Sequence, residues 1–185
     1  MAERTAPLQA LDERLAAAGF DGTTLTAVPF LAQAGLRLDS DGPAAARVAA
    51  ALGAPLPAAN RVAVAGDRRA LWLGPDEWLV VGPDGDDAAL VADLEAAVGA
   101  DGAVVGLSAN RTGLALAGPH ARDVLATCCS LDLHPRAFAP GQCAQTLLQK
   151  AQILLEQRDE DAYLLLVRPS FAAYVAEWLL DGMAG

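Results

Sequence analysis

Apolar residues recur along this chain at two spacings, about 3.6 and 2 residues, which separate helices from strands. Leu8, Leu11 and Leu15 predict a short amphipathic helix ending at Gly19, or an arm that orders only on a partner. Thr23–Leu31 is β-branched but broken by Pro29, so it reads as an edge strand or extended arm. Leu36-Arg-Leu38 continues as a strand. Pro43 suits the first position of a helix that stops at Gly53. Val62-Ala-Val64 and Ala70–Leu73 flank Gly66-Asp67, a hairpin signal. Trp78–Val81 reads as a buried strand, Asp86–Val98 as a helix with acids in its first turn, and Ala103–Leu107 as a strand.

Beyond Gly106 the same grammar returns. Thr112–Gly118 predicts a strand, Pro119 a helix start, Gln142 and Tyr163–Arg168 two further strands, and Ser170–Leu180 a closing helix. Gly42-Pro43 and Gly118-Pro119 each open a helix, 118 − 42 = 76 residues apart, too long for a solenoid repeat. The pattern predicts an α+β fold of two similar strand–helix–strand–strand–helix halves. Antiparallel-rich sheets carry helices on their outer faces, packed as one body. Residues 1–22 form the N-terminal arm or helix, and 23–185 a single two-lobed domain, divided at about 101/102 into first and second halves.

Composition narrows the function. The apolar fraction is 54%, much of it alanine, so the large side chains carry the core: Trp72, Trp78, Trp178, Phe138, Phe171, Tyr163 and Tyr174 are the expected anchors. A net charge of −10 opposes binding to phosphate backbones and anionic membrane surfaces. Lys150 is the only lysine beside many arginines, a pattern that fits bidentate pairing with carboxylates or simply a GC-rich genome. Three cysteines make no disulfide framework, and neither an apolar leader nor a membrane span is present, so a reducing cytoplasm is expected.

Candidate chemistry is sparse. Cys128-Cys129 lacks CxxC spacing and reads as packing at a helix end. A metal set from Cys128, Cys129, His134 and Cys143 lacks the paired ligands of structural zinc. His120 is expected in solvent at a helix start. A Cys–His nucleophilic pair has no local signature here. Asp76 and Glu77 sit on a Gly-Pro turn, either solvated or paired for acid–base work. No glycine-rich phosphate loop occurs. Ser108-Ala-Asn-Arg-Thr112 is either a bulge or a place where Asn110 and Arg111 meet a ligand carboxylate or a partner. Asp132, His134, Arg136 and Phe138 alternate along a segment stiffened by Pro135 and Pro140, and proline lowers the cost of ordering on binding. The segment reads as a contact surface, with Arg111, Trp72 and Trp78 as further interface residues.

At these residues the chain resembles a known family. Leu116-Ala-Gly-Pro-His-Ala-Arg-Asp-Val-Leu125, Leu131-Asp-Leu-His-Pro-Arg-Ala-Phe138 and Pro140-Gly-Gln-Cys-Ala-Gln-Thr-Leu-Leu148 look like the gamma subunit of heterotetrameric sarcosine oxidase. So do Trp72-Leu-Gly-Pro-Asp-Glu-Trp-Leu79 and Arg168-Pro-Ser-Phe-Ala-Ala-Tyr174. The resemblance runs roughly from Leu36 onward. It implies a fold like the folate-binding domain of the glycine-cleavage aminomethyltransferase. It also implies membership of a bacterial four-subunit complex that oxidises sarcosine or a related N-methyl amine and passes the methyl carbon to tetrahydrofolate. FAD, FMN, NAD and tetrahydrofolate would belong to the larger subunits and zinc to the smallest, with no cofactor, metal or catalytic residue in this chain.

Two departures bear on chemistry. The aminomethyltransferase relatives carry a Gly-Gly-x-x-Asp-Asp turn, whereas this chain reads Gln149-Lys-Ala-Gln-Ile-Leu-Leu-Glu156 and lacks the acidic pair. Relatives also place an aspartate before a serine that here stands as Gly106-Leu-Ser108. The implied role is a non-catalytic structural subunit. The alternatives are a freestanding folate-dependent one-carbon enzyme, which needs a carboxylate at the folate site, and a thiol redox or metal module.

Overall fold

The computed structural model describes residues 4–184. The elements run α1 (Asp12–Ala17), β1 (Gly19–Phe20), β2 (Thr23–Val28), β3 (Ala32–Leu38), α2 (Pro43–Leu52), β4 (Val62–Ala65), β5 (Arg68–Gly74), β6 (Glu77–Gly82), α3 (Asp87–Val98) and β7 (Gly102–Gly106). They continue with β8 (Thr112–Ala117), α4 (Ala121–Cys128), β9 (Gln142–Leu148), β10 (Ala151–Asp159), β11 (Ala162–Val167) and α5 (Pro169–Met183). A single 3-10 turn, Gln9–Leu11, leads into α1.

Two compact units result. One is Phe30–Ala109; the other joins the stretch up to Pro29 with everything from Asn110 onward. The Phe30–Ala109 unit is a five-stranded antiparallel sheet in the order β4-β5-β6-β3-β7, with α2 and α3. Its core shows both periodicities. Ala32, Ala34, Leu36 and Leu38 alternate along β3, Trp78 and Val80 along β6, and Leu90, Leu94 and Val98 repeat every fourth residue on α3. Gly66, at φ 59°, makes the two-residue β4–β5 turn that closes Ala65 opposite Arg68.

The other unit is a six-stranded sheet in the order β1-β2-β8-β11-β10-β9. One face packs Leu114, Leu116, Leu155 and Leu165 against Val124 and Leu125 of α4 and Val175 and Leu179 of α5. Alternate positions, Leu154, Glu156, Leu164 and Leu166, fall on the second face and are buried as well. Gly118, at φ 126°, lets the chain leaving β8 touch the start of β2: a Cβ there would lie 2.5 Å from the Gly22 carbonyl oxygen and from Thr23 Cα.

The two similar halves, antiparallel sheets and flanking helices of the expected α+β fold are all present, and the topology adds two details. Between its two helices each half holds three strands where two were expected. The extra strand of the second half is β10, paired with both β9 and β11. Its Ile153-Leu-Leu155 run does not alternate because both faces are buried, and its hairpin turns on Gln149, at φ 51°, with no glycine to announce it. Moreover, the strand opening each half is exchanged. β2 pairs with β8, and β7 pairs with β3, both antiparallel. The unit β-β-α-β-β-β-α therefore occurs twice along the chain, each copy lending its first strand to the other's sheet.

Candidate functional site

The segment after α4 coils where a short extended segment was expected. Asp132 Oδ1 accepts the His134 amide N–H at 2.9 Å, a turn aspartate forms readily. The His134 carbonyl then accepts the amides of Ala137 (2.7 Å) and Phe138 (2.9 Å), completing one helical turn around Pro135. His134 Nδ1 accepts the Arg136 amide at 3.2 Å. Further on, Ala139 donates to Gln142 Oε1 at 2.7 Å and Gly141 to the Gln157 carbonyl at 2.9 Å. These bonds fix the path of the coil, and its outer surface includes Asp132, His134, Pro135 and Arg136, all exposed.

Phe138 does not belong to that surface. It is 4% exposed and packs with Leu133 into the core beneath the coil, holding the turn down. Trp78, 2% exposed, donates its indole N–H to the Pro57 carbonyl at 3.1 Å, and Trp72 is half-buried against the same core. Phe138 and Trp78 are thus the core anchors their size predicts and not the interface residues they were also expected to be, because neither presents a side chain to a partner. Arg111 is half-buried beside Gln145, Gln152 and Arg168, around a recess of about 30 Å³ that holds little more than one water.

The other candidates for chemistry are occupied structurally. Glu77 pairs with Arg37 at 2.8 Å, separating it from any partnership with Asp76. Ser108 Oγ accepts the Gln33 amide at 2.9 Å and anchors the start of β3. Cys128 is buried, and burial pushes its thiol up to about 11, away from the thiolate that redox chemistry requires. Among the described residues no three His, Cys, Asp or Glu side chains come together to hold a metal.

The β9–β10 turn, where the resemblance would put an acidic pair, is Gln149-Lys150. The buried carboxylate on β10, Glu156, lies 3.3 Å from Arg158 Nε, so it is engaged within its own sheet. These residues do not fit a catalytic carboxylate presented to folate.

His120 is not simply in solvent. Its Nε2 lies 3.2 Å from Asp21 and its Nδ1 3.5 Å from Asp123, and its ring meets Phe20 edge-on at 5.1 Å. Its amide donates to Thr23 Oγ1 at 2.9 Å. The hydrogen bond to Asp21 is the main cause that raises its pKa above the ordinary histidine value.

Sequence reasoning also placed Phe171, Tyr174 and Trp178 in the core. Phe171 is 43% and Trp178 36% exposed, and Tyr174 is half-buried between them. The signal was available in their spacing, which sets them off the stripe Ala172, Val175, Ala176, Leu179 that α5 buries.

Sequence comparison matches residues 37–185 to the sarcosine oxidase, gamma subunit family. The sarcosine oxidase subunit gamma of Corynebacterium sp. (strain P-1) is 40% identical over 98% of this chain and 90% of that protein. Its counterpart from Arthrobacter sp. is 39% identical over 97% and 90%. In structure, the chain is similar to a chain of the heterotetrameric sarcosine oxidase from Corynebacterium sp. U-96 in complex with pyrrole 2-carboxylate, with a TM-score of 0.89, 39% identity and coverage of 98% and 95%. The glycine cleavage system aminomethyltransferase T from Bartonella henselae shares the fold at a TM-score of 0.71 and 20% identity, over 97% of this chain and 57% of that one.

Proposed function

As this chain belongs to the sarcosine oxidase gamma subunit family, we propose that it is the non-catalytic structural subunit of a heterotetrameric oxidase acting on sarcosine or a related N-methyl amine. The observation that carries the reading is a likeness to a chain of such a heterotetramer along 98% of the length. The oxidation, and delivery of the methyl carbon to tetrahydrofolate, take place in the other subunits. FAD, FMN, NAD and tetrahydrofolate are bound by the larger ones and zinc by the smallest. The engaged Glu156 and the Gln149-Lys150 turn support a fold that keeps the aminomethyltransferase outline without its acid. No helix among the described residues is long and apolar enough to cross a membrane, and the complex works in the cytoplasm. Asp132, His134 and Arg136 on the coil, with Arg111 and Trp72, contribute contacts to neighbouring subunits.

Co-expression of the tagged chain with the other three subunits tests this. The chain is expected to co-purify in equal proportion with them and, when isolated, to leave tetrahydrofolate unbound in a calorimetric titration. A chain that ignores the larger subunits yet binds tetrahydrofolate tightly would reverse the reading in favour of a freestanding one-carbon enzyme.

A further inference from the structure

Helix α5 carries three bands. At about 100° per residue, Ala172, Val175, Ala176, Leu179 and Met183 share the buried face. Phe171, Tyr174 and Trp178 form a neighbouring stripe, with successive rings edge-to-face at 6.4 and 6.3 Å. Beyond the stripe stand Glu177 and Asp181, both exposed. Tyr174, Glu177, Trp178 and Asp181 enclose a shallow concavity of about 350 Å³. Two aromatic residues and the Asp181 carboxylate around one hollow are complementary to a guanidinium, which stacks on the rings and pairs with the acid. The chain itself supplies a precedent: Arg14 already forms a two-pronged pair with Glu177, its Nη2 2.8 Å from Oε2.

We propose that this edge of α5 is a docking surface for another subunit of the complex, and that it receives an arginine-bearing segment of that subunit beside Trp178 and Asp181. The proposal rests on the subunit reading above. Charge decides between occupants. The stripe is bordered by acids on a chain of net charge −10, so a second copy would bring like charge to like. Large exposed aromatics are the residue types on which binding energy concentrates at interfaces.

The test uses the complete chain and the assembly of the other three subunits, titrated together by biolayer interferometry at low and high salt. Trp178→Ala and Asp181→Arg each alter an exposed position. Each is expected to weaken capture at least tenfold, and Asp181→Arg also to flatten its dependence on salt. Circular dichroism melting checks that both variants remain folded; Asp181→Arg changes no core contact and keeps the test open if Trp178→Ala melts early. Normal assembly of the wild type with both variants within twofold of it would overturn the docking surface alone. Failure of the wild type to bind at all would remove the subunit reading, and this inference with it. Self-association of the wild type, abolished by Trp178→Ala in sedimentation, would assign the stripe to a second copy and overturn the proposal.

Discussion

Replacing Arg68 with methionine tests how the Phe30–Ala109 unit is held together. Arg68 opens β5 and grips Asp86, the residue that precedes α3, through two hydrogen bonds of 2.7 and 2.9 Å. A third, of 2.8 Å, reaches Asp93 nearly two turns into the helix. The Asp86 side chain is 18% exposed, and Gly82 makes room for it: a Cβ there would lie 2.7 Å from its carboxylate oxygen. Methionine keeps the aliphatic stem and deletes the guanidinium, leaving Asp86 half-enclosed and unpaired. Breaking a fully buried pair costs about 3–5 kcal/mol, and a hydrogen bond to a charged group contributes about 1.5–3. Some water reaches Asp86, and the Asp93 carboxylate is half exposed, so the expected loss is about 2–3 kcal/mol. Urea unfolding followed by tryptophan fluorescence measures it through Trp72 and Trp78, which lie in the same unit. The double variant Arg68→Met/Asp86→Leu is expected to lose no more than Arg68→Met alone, since the orphaned charge goes too. The hydrogen bond from Arg68 holds the Asp86 pKa below its ordinary value. This contribution is therefore complete above the unfolded carboxylate pKa of about 4 and disappears as pH falls through the folded value. Arg68→Met should flatten that acid limb. A single variant within 0.5 kcal/mol of the wild type, or losses that simply add, would refute the reasoning.

Two further outcomes follow from the coil and the N-terminal hairpin. Phe138→Ala should destabilise the chain by about 3–5 kcal/mol in thermal or urea unfolding, the cost of truncating a buried aromatic, while Arg136→Ala on the exposed side of the same turn changes it by less than about 0.5 kcal/mol. His120 has a raised pKa in the folded chain, so its grip on Asp21 and Asp123 is complete below the unfolded value of about 6.5 and is lost as pH rises through the folded one. Amide exchange at residues 19–24 should therefore quicken on going from pH 6 to 8 beyond its intrinsic trend. His120→Gln should remove that excess, and an unchanged excess would point to another group.

Periodicity made most elements legible. Alternation along β3 and the fourfold spacing of Leu90, Leu94 and Val98 name their buried faces without any coordinates. It failed where a strand is covered on both sides, as at Ile153–Leu155, and where a non-glycine residue takes a left-handed turn, as at Gln149. Strand exchange left no local trace, since the residues of β2 suit either sheet equally and only pairing at long range selects β8. The coil after α4 was found by its prolines and charges, but which of its side chains turn inward was not readable. Phe138 has the type and neighbours of an interface aromatic yet is buried, and Phe171 and Trp178 have the type of core residues yet are exposed. In both cases residue type points one way and helical or turn phase the other, and phase decides exposure.

The reciprocal lending of β2 and β7 also sets a timetable for synthesis. Thr24 pairs with Ala117, 117 − 24 = 93 residues later. At translation rates of about 5–20 residues per second, β2 spends roughly 5–20 s without its neighbour. Over that interval Phe30–Ala109 can close its own five strands, since β7 arrives within the same stretch. The second sheet has no such autonomy, because a ribosome must finish β8 before the short β1–β2 hairpin acquires an edge to join. A single proteolytic cut between Ala109 and Asn110 would accordingly release one self-sufficient piece, still tethered to β2, and one sheet deprived of two of its strands.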